Sequence, residues 1–120
     1  MGKLTIGSFS SPAGTMSLDF AIKLAEAAIN KGHAVDLWLS GNATVLGNKD
    51  QKHYKDYSHL QKTVKLMFNS GRFRMAICEA CAETRGCHKD ITMDECIRAS
   101  MDWHLASCFS ADRVIMIGDN

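Results

Sequence analysis

The sequence predicts a three-layer α/β domain on a mostly parallel sheet, and three observations carry that reading. Short β-compatible runs alternate with amphipathic helical stretches along the whole chain. A helical segment joins the first two strands, a crossover that favours parallel pairing. The last strand contains the continuous apolar run Val114-Ile115-Met116-Ile117, suited to a strand covered on both faces.

The elements follow in order. Leu4 to Phe9 is the first strand, and the Gly/Ser-rich stretch from Gly7 to Gly14 follows it, with Pro12 and Gly14 shaping the turn. A helix begins at Thr15, capped by Thr15 or Ser17. Ala21, Leu24, Ala25 and Ala28 form its inner stripe, and Gly32 stops it. Ala34 to Leu39 is the second strand, and Gly41 to Gln51 a polar loop. The second helix runs from about Tyr54 to Ser70 with Leu60, Val64, Met67 and Phe68 inward, and Gly71 ends it. Arg72 to Cys78 is the third strand. A short helix from Glu79 to Arg85 follows, capped by Gly86. Met93, Ile97, Met101, Leu105 and Cys108 then recur at nearly helical spacing, which predicts one longer helix before the strand Arg113 to Ile117. Trp103 lies off that stripe, so the helix presents a second apolar face, a feature of subunit contacts.

Composition narrows the function. The chain has 120 residues, 46% hydrophobic and 22% charged, with 14 Lys+Arg against 13 Asp+Glu. That near balance argues against a dedicated nucleic-acid binder. The expectations are one domain over residues 1–120, no membrane span, no signal peptide and a cytoplasmic location. Lys49, Lys52, Lys55, Lys62 and Lys65 make a mildly basic stretch, read as a solvated helix face. His53, His59, His88 and His104 show no zinc-enzyme spacing, and the Gly/Ser loop matches neither phosphate-binding glycine motif.

Five cysteines stand at 78, 81, 87, 96 and 108, an odd and clustered set that does not resemble a secreted disulfide framework. Sites in parallel sheets lie at the carboxyl ends of strands. That rule selects the loop after Phe9, the loop after Leu39, and Cys78. Cys78 ends the third strand where a helix begins, so unpaired backbone N–H groups favour its thiolate, the reactive form. Glu79 and Glu83 oppose that ionisation, and Arg85 is placed to contact an anion or a partner. The alternative for Cys78 is a small buried hydrophobe. Cys81 makes a Cys-x-x-Cys with Cys78, which also permits a redox motif. A zinc site from Cys78, Cys81, Cys87 and His88, with Cys96 in reserve, has the ligand types but lacks the usual second distant pair. On the predicted long helix, Cys108 extends the core stripe and Cys96 lies on another face.

Taken together, several segments resemble the DsrE/TusD branch of the DsrE/DsrF-like sulfur-relay family. They are Ser11-Pro12-Ala13-Gly14-Thr15, Asn30-Lys31-Gly32-His33, Ser40-Gly41-Asn42-Ala43-Thr44-Val45, Ile77-Cys78 leading to Thr84-Arg85-Gly86, and Ala111-Asp112-Arg113-Val114. The resemblance covers nearly the whole chain. It implies a flavodoxin-like fold with four or five strands; the segment after Gly86 shows no extra strand, which favours four. It further implies a sulfur-transfer protein that carries sulfane sulfur as a persulfide on Cys78 and passes it to a partner thiol. That leaves open whether it acts as a sulfurtransferase enzyme or as a carrier. Cys81 and Cys87 are thiols additional to the acceptor position, able to resolve a persulfide into a disulfide with release of sulfide. No organic cofactor and no metal are implied. The implied partners are a TusA-like carrier protein and further subunits, as a homo-trimer or hexamer or a hetero-hexamer with DsrF- and DsrH-like (TusC- and TusB-like) chains. Neither nucleic acid nor membrane is expected to be bound. The competing readings are a Cys-x-x-Cys redox or metal-binding module and a non-catalytic oligomeric adaptor.

Overall fold

Residues that alternate along a strand face opposite sides of its sheet, and here the two sides receive different chemistry. The computed structural model describes residues 1–12, 16–51 and 60–118. Its strands are β1 (Lys3–Ser8), β2 (Ala34–Leu39), β3 (Phe73–Cys78), β4 (Ile97–Ala99) and β5 (Arg113–Ile117). They form one five-stranded sheet in the order β4-β3-β2-β1-β5, with every neighbouring pair parallel. The helices are α1 (Ser17–Asn30), α2 (Leu60–Phe68), α3 (Glu79–Glu83) and α4 (Met101–Ser110). The α/β flavodoxin-like class is as expected. None of the helices in the described residues is long and apolar enough to cross a membrane.

One face of the sheet is apolar. Ile6, Val35, Leu37, Leu39, Phe73, Met75 and Ile77 pack with Leu18, Ala21, Ile22, Ala25 and Ile29 of α1 and with Leu60, Val64 and Met67 of α2. Sustained burial of this kind is the main stabilising term in the fold. The other face, covered by α4, is built on hydrogen bonds and rings. Asp36, 3% exposed, accepts from Arg74 Nε at 2.8 Å and Ser107 Oγ at 2.7 Å, and pairs with Lys3 Nζ at 2.9 Å. Ser107 is also hydrogen-bonded to Thr5. Trp38 stacks on Trp103 and on His104, and the Arg74 guanidinium lies over Trp103. One helix is thereby tied to three adjacent strands. Burial pushes the Asp36 carboxyl up, but the hydrogen bonds from Arg74, Ser107 and Lys3 outweigh it and hold the group below its ordinary range.

Several expectations are corrected. There is no long helix through Met93 and Ile97: residues 97–99 pair with β3 as β4, which supplies the fifth strand, and the helix starts only at Met101. The near-fourfold spacing was a coincidence across two elements. Parallel pairing with β3 gives Ile97 and Ala99 backbone partners that a helix would not. Within α4 the buried residues are His104 and Ser107, while Met101 and Leu105 face outward. Cys108 is half-buried rather than core, with its sulfur 3.5 Å from His104 Nε2. The strand β5 is an edge strand paired only with β1, and Val114, Ile115 and Met116 are exposed, not covered on both faces. The ten-residue α4 is too short to shield it. The segment after Leu39 is a 3₁₀ turn, Gly41–Gly47, with Ala43, Thr44 and Leu46 buried. Helix α1 has Met16 at its N-cap position without a side-chain cap, and Ser17 is its first residue. Of the basic stretch, Lys49, Lys62 and Lys65 are exposed. Gly14, Thr15, Lys52, His53, Tyr54, Lys55 and His59 lie outside the described residues.

Candidate functional site

The sequence of β3 positions the site. Phe73, Met75 and Ile77 anchor one side of the strand in the core, which carries Cys78 to its carboxyl end, half-buried. Cys78 keeps extended backbone (φ −67°, ψ 115°) and caps α3, its Sγ accepting the Cys81 N–H at 3.4 Å. Cys81 is also half-buried, and each thiol shifts the ionisation of the other. The pair is therefore a single unit.

The turn after β2 closes around it. Gly41 has φ +57°, a left-handed conformation that glycine adopts without penalty, and its backbone favours the ionised form of Cys81. Gly47 brings the same 3₁₀ turn against β3: a Cβ there would stand 3.1 Å from Ile77 and 3.3 Å from the Cys96 sulfur. Arg85 spans the two segments. Its Nε donates to Asn42 Oδ1 at 2.9 Å, and its terminal nitrogen donates to the Cys81 carbonyl at 2.9 Å and to Thr84 Oγ1 at 3.2 Å. The guanidinium thus turns back toward Cys81.

Charge within the pair falls differently from the sequence expectation, which put it on Cys78. Burial pushes the Cys78 thiol up, and the hydrogen bond with the Cys81 side chain adds to this, against the pull of the Cys81 and Ala80 N–H groups. Cys81 is lowered, first by the Cys78 hydrogen bond, then by the Gly41 backbone and the Arg85 charge, with burial opposing. Of the two, Cys81 is the thiol that ionises more readily.

Sequence reasoning missed Arg98. Its side chain, on β4, is buried and donates to the Cys87 carbonyl at 2.8 Å, Thr92 Oγ1 at 3.0 Å, Glu83 at 3.1 Å and Glu79 at 3.3 Å. It ties α3 to the 87–92 segment and neutralises the two glutamates that would otherwise oppose a thiolate. Only the folding of 97–99 as a strand reveals it. Gly41 and Asn42 lie in the loop after Leu39, which the strand-end rule selects without singling out either residue.

The site brings Cys78, Cys81 and Arg85 together and leaves the other cysteines out. Cys96 sits in the turn before β4, and burial pushes its thiol up to about 12. Cys87 is buried and accepts from Asn48 Nδ2 at 3.4 Å. His88 is paired with Glu83 at 2.5 Å. Among the described residues, no three His, Cys, Asp or Glu side chains are grouped so as to hold a metal ion. All five cysteines are free thiols. A hydrogen-bonded, partly exposed dithiol with an adjacent cation is equipped for thiol–persulfide and thiol–disulfide exchange.

Comparison with known proteins identifies the family. The family model described as the DsrE/DsrF-like family matches residues 3–117. The chain belongs to the DsrE/DsrF-like family. That family is associated with sulfur relay. Among solved structures, the YchN protein of E. coli superposes with a TM-score of 0.88 at 23% identity, covering 97% of this chain and 99% of its own. The protein MTH1491 of Methanobacterium thermoautotrophicum gives a TM-score of 0.73 at 8% identity over 96% and 99% of the two chains. BT1422 of Bacteroides thetaiotaomicron gives 0.69 at 20% identity over 98% and 95%. These likenesses establish the DsrE-like fold. No curated protein matches the chain.

Proposed function

We propose that this DsrE-like chain is a sulfur-transfer protein that takes up sulfane sulfur as a persulfide on Cys78 and hands it to a partner thiol. The observation that carries the reading is the hydrogen-bonded Cys78–Cys81 pair at the accessible end of β3, in a family associated with sulfur relay. As Cys78 attacks, its proton passes to the neighbouring Cys81 thiolate. The Cys78 sulfur joins the outer sulfur of a donor persulfide, the donor leaves as its thiolate, and Cys78–S–SH remains. A partner thiolate then takes the outer sulfur and Cys78 leaves. Transfer is redox-neutral and needs no cofactor. Arg85 holds the loop of Asn42 beside the pair and orients an anionic sulfur species or a partner surface.

The partner class proposed is a TusA-like carrier, working in the cytoplasm, where five free thiols stay reduced. We also propose that the chain, residues 1–120, assembles as one domain into a homo-oligomer. Met101, Leu105 and Phe109 recur every fourth residue on α4 with exposures of 53%, 48% and 89%, beside exposed Val114 and Met116 of the β5 edge. Isolated subunits rarely leave such a stripe open. Replacing Leu105 and Phe109 by glutamate is expected to reduce the assembly to monomers in sedimentation velocity. A parent chain that sediments as a monomer contradicts the assembly.

The transfer reading is tested on Cys81→Ser, which leaves one thiol at the site. Loaded with inorganic polysulfide, desalted and mixed with cyanide, it is expected to yield about one thiocyanate per chain, as a persulfide must. No thiocyanate above that from a Cys78→Ser, Cys81→Ser control would refute the transfer reading.

A further inference from the structure

The transfer reading uses Cys81 only as a proton acceptor, yet its sulfur is a second nucleophile beside Cys78, whose Sγ accepts the Cys81 N–H at 3.4 Å. The atom within its reach is therefore the inner sulfur of a Cys78 persulfide, not the outer one. We propose that Cys81 discharges a Cys78 persulfide as sulfide, closing a Cys78–Cys81 disulfide, so that in the absence of a partner the protein is a two-thiol persulfide reductase. The inference rests on Cys78 as the sulfur acceptor.

The step balances. The Cys81 thiolate forms a bond to the Cys78 sulfur, the Cys78–S–SH bond breaks, and its electron pair leaves with the outer sulfur as HS⁻. The Cys81 sulfur is oxidised by one unit and the departing sulfur reduced by one. A dithiol reductant of the thioredoxin class then supplies two electrons and two protons and restores the pair.

Geometry favours closure. Residues three apart at a helical turn stand about 5–6 Å apart at Cβ, and a disulfide takes about 3.5–4.5 Å. A shift of about an ångström suffices, and it falls in a helix of only five residues. Arg85, held against the Cys81 carbonyl at 2.9 Å, places its charge where it favours the ionised form of the attacking sulfur. Cys87, the other nearby thiol, is buried and turned toward Asn48 and the Arg85 carbonyl, so it does not compete. Partner capture and discharge then attack different atoms: the partner takes the outer sulfur, Cys81 the inner one. Which wins depends on whether a partner is docked.

The test compares the reduced parent with Cys81→Ser after brief exposure to limiting inorganic polysulfide. The parent is expected to release about one sulfide more per sulfur taken up than the variant. Its peptide spanning Cys78 and Cys81 is expected to be about 2 Da lighter than the reduced form, reversibly so with a dithiol. Cys81→Ser is expected to hold about 32 Da on Cys78 and to release sulfide at least about tenfold more slowly. Should the serine variant fold poorly, Cys81→Ala serves in its place. A parent that keeps the adduct on Cys78 as long as the variant does, with no disulfide, overturns discharge and leaves the acceptor reading standing. A variant that never gains the adduct on Cys78 overturns both.

Discussion

Cys78→Ser is expected to lower uptake of sulfane sulfur from limiting polysulfide at least about tenfold, measured at completion as cyanolysable sulfur per chain against Cys81→Ser, which keeps the acceptor sulfur and retains its adduct even if it loads more slowly. A hydroxyl at this position does not ionise near neutral pH and cannot form the sulfur–sulfur bond. The substitution also removes the neighbouring thiol that lowers the Cys81 pKa, so Cys81 does not take over at full strength. Residual loading at Cys81 and half-buried Cys108 sets the floor; Cys87 and Cys96 are buried and contribute little. Both variants should keep the parent's thermal unfolding, because the site lies at the rim of the sheet and not in its apolar core. Equal uptake by Cys78→Ser and Cys81→Ser would remove Cys78 from the acceptor role.

The second large effect concerns the polar layer under α4. Asp36→Ala is expected to destabilise the fold by about 2–4 kcal/mol, read by urea titration at pH 7. The change strips Arg74, Ser107 and Lys3 of a common acceptor at once. The figure stays below that for a fully buried ion pair because the Arg74 side chain is about half exposed and recovers water. The pH dependence has a defined sign. The folded Asp36 is more acidic than the unfolded one, so its contribution is present above the unfolded value of 3.8 and is lost as pH falls through the lower folded value. The gap between parent and Asp36→Ala should therefore narrow only in that acid window. His104 acts in the same direction from higher pH. Burial lowers its pKa below 6.5, so protonation of the unfolded chain weakens the fold as pH drops through that value. A gap that widens toward acid contradicts the assignment.

Much of this was legible in the residues, and the failures share a cause. The strand–helix–strand start, α2 and the short helix after Cys78 all have local signals: a stripe of apolar residues, a glycine stop, a cap. The thiol pair was visible as Cys-x-x-Cys, and its place at a strand end followed from the alternation of β3. What misled was spacing that ran across a boundary. Met93, Ile97, Met101 and Leu105 mimic one helical face, although Ile97 belongs to a three-residue strand whose stability comes from β3. That single error hid Arg98 and with it the neutralisation of Glu79 and Glu83. Likewise the run at 114–117 resembles a central strand, but sheet order makes it an edge, and order is a tertiary property. The shift of charge from Cys78 to Cys81 depends on Gly41 and Arg85 reaching the second thiol, which no local pattern encodes.

The most direct measurement is peptide-resolved mass spectrometry of the reduced chain, mixed with a limiting sulfane donor and quenched at once with an alkylating agent. The first-formed adduct of about 32 Da is predicted on Cys78 while Cys87 and Cys96 stay unmodified. An adduct spread evenly over the cysteines, or one that forms first on any thiol other than Cys78, would contradict the account.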